Sequence, residues 1–586
     1  MKFFTKNVNK IVILALFLLF ISYRVSYINN KGVTHGDNSI YFASSRVLKS
    51  MIDWRLSYQN YNTFTFSVPE SHKNKLIERL NKDNQRIAWP FGYAKSLYIM
   101  LITAILIVTG NLFPHVLWLQ ALLGVIGIYL FYVMCKLLID DFIIRVGITL
   151  SFVLSGLSIY VMHSGGPTGF AYFFFLISIL LFILYLKNHI NEDFVLSKVK
   201  SLFCCENLII YGFGVFVGLA IYCHPATIYY AILLILFYSV YPLVTKYRFG
   251  QVRNGIIVMV GIVTVGITID YSIMLLKSFI MHDDFTWLFG GYPLMTNFEQ
   301  LFLHHSKDYG YNFLYKLIWN INYLISGENI VNFFLSSVSV VLSFIYLRKK
   351  KYKIFCILSL LSLIIFCFLC MGNIYLAPRV ICYLTPFFYL NILFVLKVVS
   401  DKYSLKWSVI ILIICIVVQL WNVKPFILDK SPYYQIVEWM DKNKEVSILS
   451  NDDAGLYNVH NKDGYWISYD KNKDSFVIET KRINTSYNKI KDIKYVALKG
   501  DNNNFEDIRL TYDSIIEEKP IIEITYLFPY YGFLANILSV SEPLFSSNKK
   551  IMQKVNFLKG IYIRVELYKI KHGIIDSMIV KNRELD

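Results

Sequence analysis

The chain has 586 residues, is 56% hydrophobic with a mean hydropathy of +0.48, and carries a formal net charge of +18. So many apolar side chains, arriving in long uninterrupted runs, exceed what a water-soluble core of this length hides, which excludes an ordinary soluble protein and leaves a polytopic membrane protein. Lys and Arg stand in short clusters between the apolar runs and not along one helical face, so the charge reads as juxtamembrane anchoring and not as nucleic-acid binding.

At the N-terminus a basic stretch (Lys2, Lys6, Lys10) leads into IVILALFLLFISYRVSYI, with no small-x-small cleavage site after it. It reads as an uncleaved anchor. A spanning helix needs roughly 20 apolar residues. Candidate spans lie near 11–28, 116–136, 145–162, 168–186, 208–224, 225–243, 254–276, 330–347, 354–372, 379–397 and 407–422. The run 97–113 is settled by the positive-inside rule. Counted as a span, it would put the loop from Lys136 to Arg145 and every later basic loop outside; lying along the outer surface, or re-entering, it keeps them all inside. About eleven spans then remain, in a plasma (inner) membrane, with the N-terminus cytoplasmic.

This threading gathers polar chemistry on the outer side. There fall Asp37, the stretch from Trp89 to Tyr93, His163, His224, Asp270, His282 to Asp284, and Arg379. Ionisable groups near hydrocarbon are costly unless they pair or line a wet cavity, so their clustering marks a site in the outer leaflet. SGGPTG (164–169) and HPAT (224–227) each place a proline near the start of a helix. Free N–H groups and a positive dipole end would face an anion there, with Gly165 and Gly166 allowing close approach; simple helix-start punctuation is the alternative. Arg379, in APRVICYLTPFF, brings a planar fork suited to phosphate, or is a snorkelling interfacial arginine. Asp37 is the first acid after the first span, fit to accept a proton from a hydroxyl or amine. All nine cysteines lie in or beside apolar runs, so no disulfide framework is indicated.

An Asp shortly after the first span with Tyr four residues on (Asp37, Tyr41) resembles the Asp-Glu-x-x-Tyr motif of GT-C glycosyltransferases, in particular protein O-mannosyltransferases and aminoarabinose transferases. Further matches follow in order: AWPFGYAKSLYIM resembles that family's Pro-Gly-Tyr segment, and WLQALLGVIGIYLFYVMCKLL its next span. GLAIYCHPATIYY, APRVICYLTP and SPYYQIVEWMDKNKEVSILSND resemble later segments, so that the likeness covers about residues 10–470. It implies a donor lipid, polyprenyl phosphate bearing one sugar, and an acceptor protein, lipid or glycan met outside the membrane. Transfer of a hexose or pentose would invert the anomeric centre. Asp37 would be the base; Arg379, His224, Gly165 and Gly166 would hold the donor phosphate; His35, Tyr41, Trp89, Tyr93, His163 and Tyr383 would line the pocket. Two positions depart from the family pattern. Asn38 stands where family members usually carry Glu, and the stretch from His163 to Gly169 lacks an acid. With fewer paired carboxylates no cofactor is expected, and a divalent metal is not favoured.

The expected domains are a GT-C-like membrane domain over 1–422, with a first outer loop over 29–115, and an extracytoplasmic α/β domain over 423–586. In the latter, YYQIVEWMDKNK reads as helix, and VSILS, YVALKG, IIEITYLF and IYIRVELYKI as strands. The Asn/Lys-rich stretches within 442–504 read as solvated loops. Two other functions fit the composition. A transporter or flippase for a lipid-linked saccharide should show paired repeats and interrupted helices, which the sequence does not display. A polymer ligase would lean on a late outer loop, for which 277–329 with His304 and His305 is the candidate.

Overall fold

The computed structural model describes parts of 11–26, then 36–57, 96–110, 115–191 without 164, 205–224, parts of 225–234, 250–280, 313–371, 377–452, 457, 462–470, 474–480, 490–537 and 562–582. Among these residues six helices are long and apolar enough to cross a bilayer, or eight if each of two bent pairs is one span. A seven-stranded sheet follows them.

The helices of the first half are α1 (Gly36–Ser57), α2 (Ser96–Thr109), α3 (His115–Leu138), α4 (Phe142–Val153), α5 (Gly156–His163), α6 (Pro167–Asn191), α7 (Cys205–Cys223) and α8 (Gly250–Ile280). The run expected to stay at the outer surface is α2. Its 14 residues give about 21 Å of helix, less than the roughly 30 Å of a hydrocarbon core. The stretch 145–162, expected as one span, is divided into α4 and α5, which meet at 56°. Asp141 caps α4 by accepting from the Ile144 N–H at 2.9 Å, and Ser155 caps α5 by accepting from the Ser158 N–H at 3.0 Å.

Helices α7 and α8 cross so closely that no side chain fits between them. A Cβ on Gly214 would lie 2.3 Å from the Val258 carbonyl oxygen, and one on Gly261 would lie 2.7 Å from the Tyr211 carbonyl oxygen. In lipid, where apolar surface gains nothing by leaving the solvent, such backbone contact is what holds two helices together. Gly214→Ala is therefore expected to lower stability by about 1–3 kcal/mol through overpacking. Gly212→Ala serves as the control, its Cβ meeting only Leu181 Cδ1 at 3.4 Å. Thermal unfolding of the two variants in detergent checks this.

The second half supplies α9 (Phe313–Glu328), α10 (Ile330–Tyr346), α11 (Lys353–Met371), the single turn α12 (Pro378–Ile381), α13 (Thr385–Lys402) and α14 (Leu405–Leu428). α9 and α10 form the second bent pair, at 117°. Asn329 makes the corner at φ +64° and caps α10 through its side chain, which accepts from the Asn332 N–H. α13 is buried along nearly its whole length. α14 turns Trp407, Ile410, Ile414, Val417 and Trp421 outward while burying Ser408, Gln419 and Cys415. That is the pattern of a helix whose solvent is lipid.

After α15 (Pro432–Lys442) come β1 (Ser447–Ser450), β2 (Asp463–Asp470), β3 (Ser475–Thr480), β4 (Tyr495–Asp501), α16 (Phe505–Tyr512), β5 (Ile522–Leu527), β6 (Tyr562–Lys569) and β7 (Ile579–Asn582), in the order β5-β6-β4-β1-β2-β3-β7. The four expected strands are β1, β4, β5 and β6. β1 runs parallel to β2 and β4, whereas β6 is antiparallel to both β4 and β5. The reading of the Asn/Lys-rich stretches within 442–504 as solvated loops is corrected at β2 and β3, which lie there between the two expected strands. Tyr465 and Ile467, two apart on β2, are buried with Ser468 exposed beside them, as period-two alternation requires, and β3 buries Val477 and Ile478.

The sheet's 3-10 turn at Pro529–Tyr531 reaches the membrane helices. Asn322 of α9 donates to the Tyr530 carbonyl at 3.0 Å and accepts from the Leu534 N–H at 3.2 Å, while Ser326 accepts from the Phe533 N–H at 2.9 Å. Tyr530 then packs on Tyr160 of α5, ring centroids 5.2 Å apart.

Candidate functional site

Two groups of side chains bring the singled-out residues together. In the first, Tyr41 on α1 meets Tyr98 on α2 edge to face, centroids 5.8 Å apart. The Tyr98 hydroxyl donates to the Gly165 carbonyl at 2.6 Å. The turn between α5 and α6 is bracketed by Gln120 of α3, which donates to the Gly166 carbonyl at 2.7 Å and accepts from the Gly165 N–H at 3.2 Å. Gly165 sits at φ +71°, where a side chain would be strained. The N–H of Gly165, expected to be free for an anion, is thus used inside the protein. Pro167 opens α6 as expected.

In the second group, His224 lies buried just past the end of α7, with its Nδ1 3.3 Å from the Tyr383 hydroxyl. Tyr383 follows α12 and packs against Tyr172, Phe175 and Tyr230. The Tyr230 hydroxyl donates to the Val380 carbonyl, next in sequence to Arg379. Arg379 is half-buried on α12, which packs against α5, whose Tyr160 lies on Tyr530. α6 joins the groups, its Phe170 packing on Tyr98 with centroids 5.5 Å apart and its Tyr172 on Tyr383.

Tyr41, Gly165, Gly166, His224, Arg379 and Tyr383 therefore fall in one connected region contributed by distant parts of the chain. Asp37 is the second residue of α1, so its backbone is helical. Four residues separate it from Tyr41, and residues at that spacing share a helix face. His163 is the last residue of α5. The side chains of Asp37 and His163, and the whole of His35, Trp89, Tyr93, His282 to Asp284, His304 and His305, lie outside the described residues. Among the described residues no three His, Cys, Asp or Glu side chains are grouped to hold a metal ion.

The sequence reading missed a buried carboxylate. Glu328, the last residue of α9, is wholly buried and accepts from Ser155 Oγ at 2.6 Å and from the Tyr389 hydroxyl of α13 at 2.5 Å. Gln419 of α14 lies beside it, donating to the Leu154 carbonyl at 2.9 Å and the Gly327 carbonyl at 3.0 Å and accepting from Asn329. The signal was present: Glu328 is the only acid between Asp308 and Asp401. An acid alone among spans marks a specific task by default.

No family model matches the sequence, and neither does any curated protein. Solved structures share the fold of this chain. It is similar to the oligosaccharyltransferase of Archaeoglobus fulgidus in its apo form, over 85% of this chain and 70% of that one, at 13% identity and a TM-score of 0.50. It is similar also to the aminoarabinose transferase ArnT of Cupriavidus metallidurans in the apo state, over 88% of this chain and 96% of that one, at 11% identity and a TM-score of 0.50. The expected helical, multi-pass membrane fold with a C-terminal sheet domain agrees with these likenesses, while of the eleven expected spans six to eight stand among the described residues.

Proposed function

We propose that the protein is a membrane glycosyltransferase moving one hexose or pentose from a polyprenyl-phosphate lipid to a protein, lipid or glycan acceptor outside the membrane. The observation that carries this reading is the convergence of Tyr41, Gly165, His224, Tyr383 and Arg379 from separate segments of the chain, within a GT-C fold. The acceptor oxygen attacks the anomeric carbon on the face opposite the phosphate. As the new glycosidic bond forms, the carbon–oxygen bond to phosphate breaks, and the acceptor's proton passes to Asp37. Polyprenyl phosphate leaves with the electron pair, and the anomeric centre is inverted.

Arg379 carries the leaving phosphate through its fork, with His224 and the helix start after it as further donors. Tyr41, Tyr383, His163, His35, Trp89 and Tyr93 shape the sugar and acceptor pocket. Glu328 has both oxygens engaged within the protein, and no step is routed through a metal. In this reading the membrane domain spans 1–422 with about eleven crossings, the segment 423–586 is extracytoplasmic, and the N-terminus is cytoplasmic in the plasma membrane. The short α2, lying along or re-entering the outer face, fits that parity.

A lipid-linked saccharide transporter is the second reading, favoured by the two bent helix pairs, since interrupted helices are what a transporter uses to build a site within the membrane. One experiment separates the two. Purified protein given a lipid extract of its native cell is expected to consume a sugar-bearing polyprenyl phosphate and release polyprenyl phosphate, read by mass spectrometry. Movement of intact lipid-linked sugar across a vesicle wall with no consumption would replace the enzyme with the transporter. For the threading, a cysteine placed at Lys349 should stay unlabelled by an impermeant thiol reagent in intact cells, and one beyond residue 425 should be labelled. Labelling at 349 would reverse the orientation.

A further inference from the structure

The two helix breaks lie against each other and are closed by one set of side chains. Gly156 and Gly327 let the backbones touch, since a Cβ on Gly156 would come within 2.9 Å of the Gly327 carbonyl oxygen. A break in a spanning helix frees N–H groups on one side and carbonyls on the other, and lipid satisfies neither. Glu328 answers Ser155 at the start of α5, accepting from its Oγ, while Gln419 answers the carbonyls of Leu154 and Gly327. Tyr389, fully buried on α13, holds the second carboxylate oxygen. α5 is thereby pinned at its N-terminus to α9 and α13. It has eight residues, a rod of about 12 Å. Along it stands Tyr160, the helix packs against α12, which carries Arg379, and its far end leads into the Gly165–Gly166 turn that Tyr98 and Gln120 grip.

We propose that Glu328 is a positioning residue: by fixing the near end of α5 it sets the His163–Gly166 turn and Tyr160 against Arg379, and so aligns the transfer site. This rests on the glycosyltransferase reading for its effect on turnover, though not for its effect on the turn. Glu328→Gln keeps the shape but has one acceptor oxygen where the carboxylate has two, so one of the partners that hold it loses its acceptor. Ser155→Ala and Tyr389→Phe remove the donors one at a time, the latter leaving the ring in place.

The test uses the full-length protein in lipid nanodiscs, with His163→Cys as a reporter and the same protein without it as background. Expected for Glu328→Gln is a fall in kcat per folded molecule of about tenfold or more with donor KM changed less than about threefold, the mark of misalignment. Maleimide labelling at the reporter should change in rate at least about fivefold, since the turn moves when its rod is released. Adding Ser155→Ala to Glu328→Gln should cost less than it does alone, because the two act as one contact. Wild-type labelling and wild-type kcat per folded molecule, with only a lowered Tm, would overturn the proposal and leave Glu328 a stabilising residue. Should Glu328→Gln not fold, Ser155→Ala and Tyr389→Phe decide the question through the same two readouts. Labelling needs no sugar transfer. An altered rate in a protein that transfers no sugar would retain the clamp and reject the function proposed above.

Discussion

Asp37→Asn is expected to cut sugar transfer by roughly 10²–10⁴ while leaving donor binding little changed. The amide keeps the size of the carboxylate and loses the base, so the acceptor hydroxyl must attack without giving up its proton. Asp37 stands in the first turn of α1, one helical turn before Tyr41, whose ring sets this face of the helix against Tyr98 and the Gly165 turn. A base at that place meets an acceptor arriving from outside water. Single-turnover transfer and donor binding, measured on the same preparation, separate chemistry from affinity. Chelator is expected to leave wild-type turnover unchanged, in keeping with a base that works without a bound cation. A folded Asp37→Asn protein that binds donor and transfers at the wild-type rate would remove Asp37 from the mechanism and put the transporter or ligase readings ahead.

Arg379→Ala is expected to weaken donor use by about 1.5–3 kcal/mol, the worth of a charge-assisted hydrogen bond, or about 10- to 150-fold in kcat/KM. Arg379→Lys should recover only part of this, because an ammonium is a point charge and lacks the two-pronged geometry that fits two phosphate oxygens at once. α12, the one turn that carries Arg379, is fixed from three sides: Pro378 starts it, the Tyr230 hydroxyl holds the Val380 carbonyl, and Tyr383 packs behind it. A loss on substitution would therefore come from the missing charge and not from a displaced turn. Donor kinetics at the wild-type level in Arg379→Ala would make the residue an interfacial anchor alone.

Six of the expected spans were legible because the bilayer demands long apolar runs and the sequence supplies them, and Pro167 announced the start of α6 for a purely local reason. The breaks were not legible. Ser155-Gly156 and Gly327-Glu328-Asn329 look like any small polar interruption until Glu328 is seen to meet Ser155 across 173 positions of chain. Gly165 illustrates the same limit from the other side. Its N–H looks available for an anion when read locally, yet Gln120, 45 residues earlier, occupies it. β2 and β3 were hidden because their apolar residues are mixed with Gly, Ser, Asp, Glu and Thr, and the short runs DGYWISYD and SFVIET were lost among flanking Asn and Lys residues. Tyr41, His224, Tyr383 and Arg379 were found as separate motifs, and only the fold put them side by side.

The strand order of the sheet has a consequence for biosynthesis. β6 lies between β4 and β5 and pairs with both, Tyr495 facing Lys569 and Leu527 facing Tyr562; β7 closes the other edge on β3, Val477 facing Ile579. Every strand from β1 to β5 therefore leaves the ribosome before the partner that joins β5 to the rest exists. Contacts so distant in sequence form late, because the chain between them must first be ordered. The 3-10 turn at Pro529–Tyr531, which docks on α9 and packs against Tyr160, is held in place by a sheet that cannot close until β6 has been made. The membrane helices accordingly wait, inserted but with the wall beside Arg379 incomplete, until nearly the whole of this chain has been synthesised.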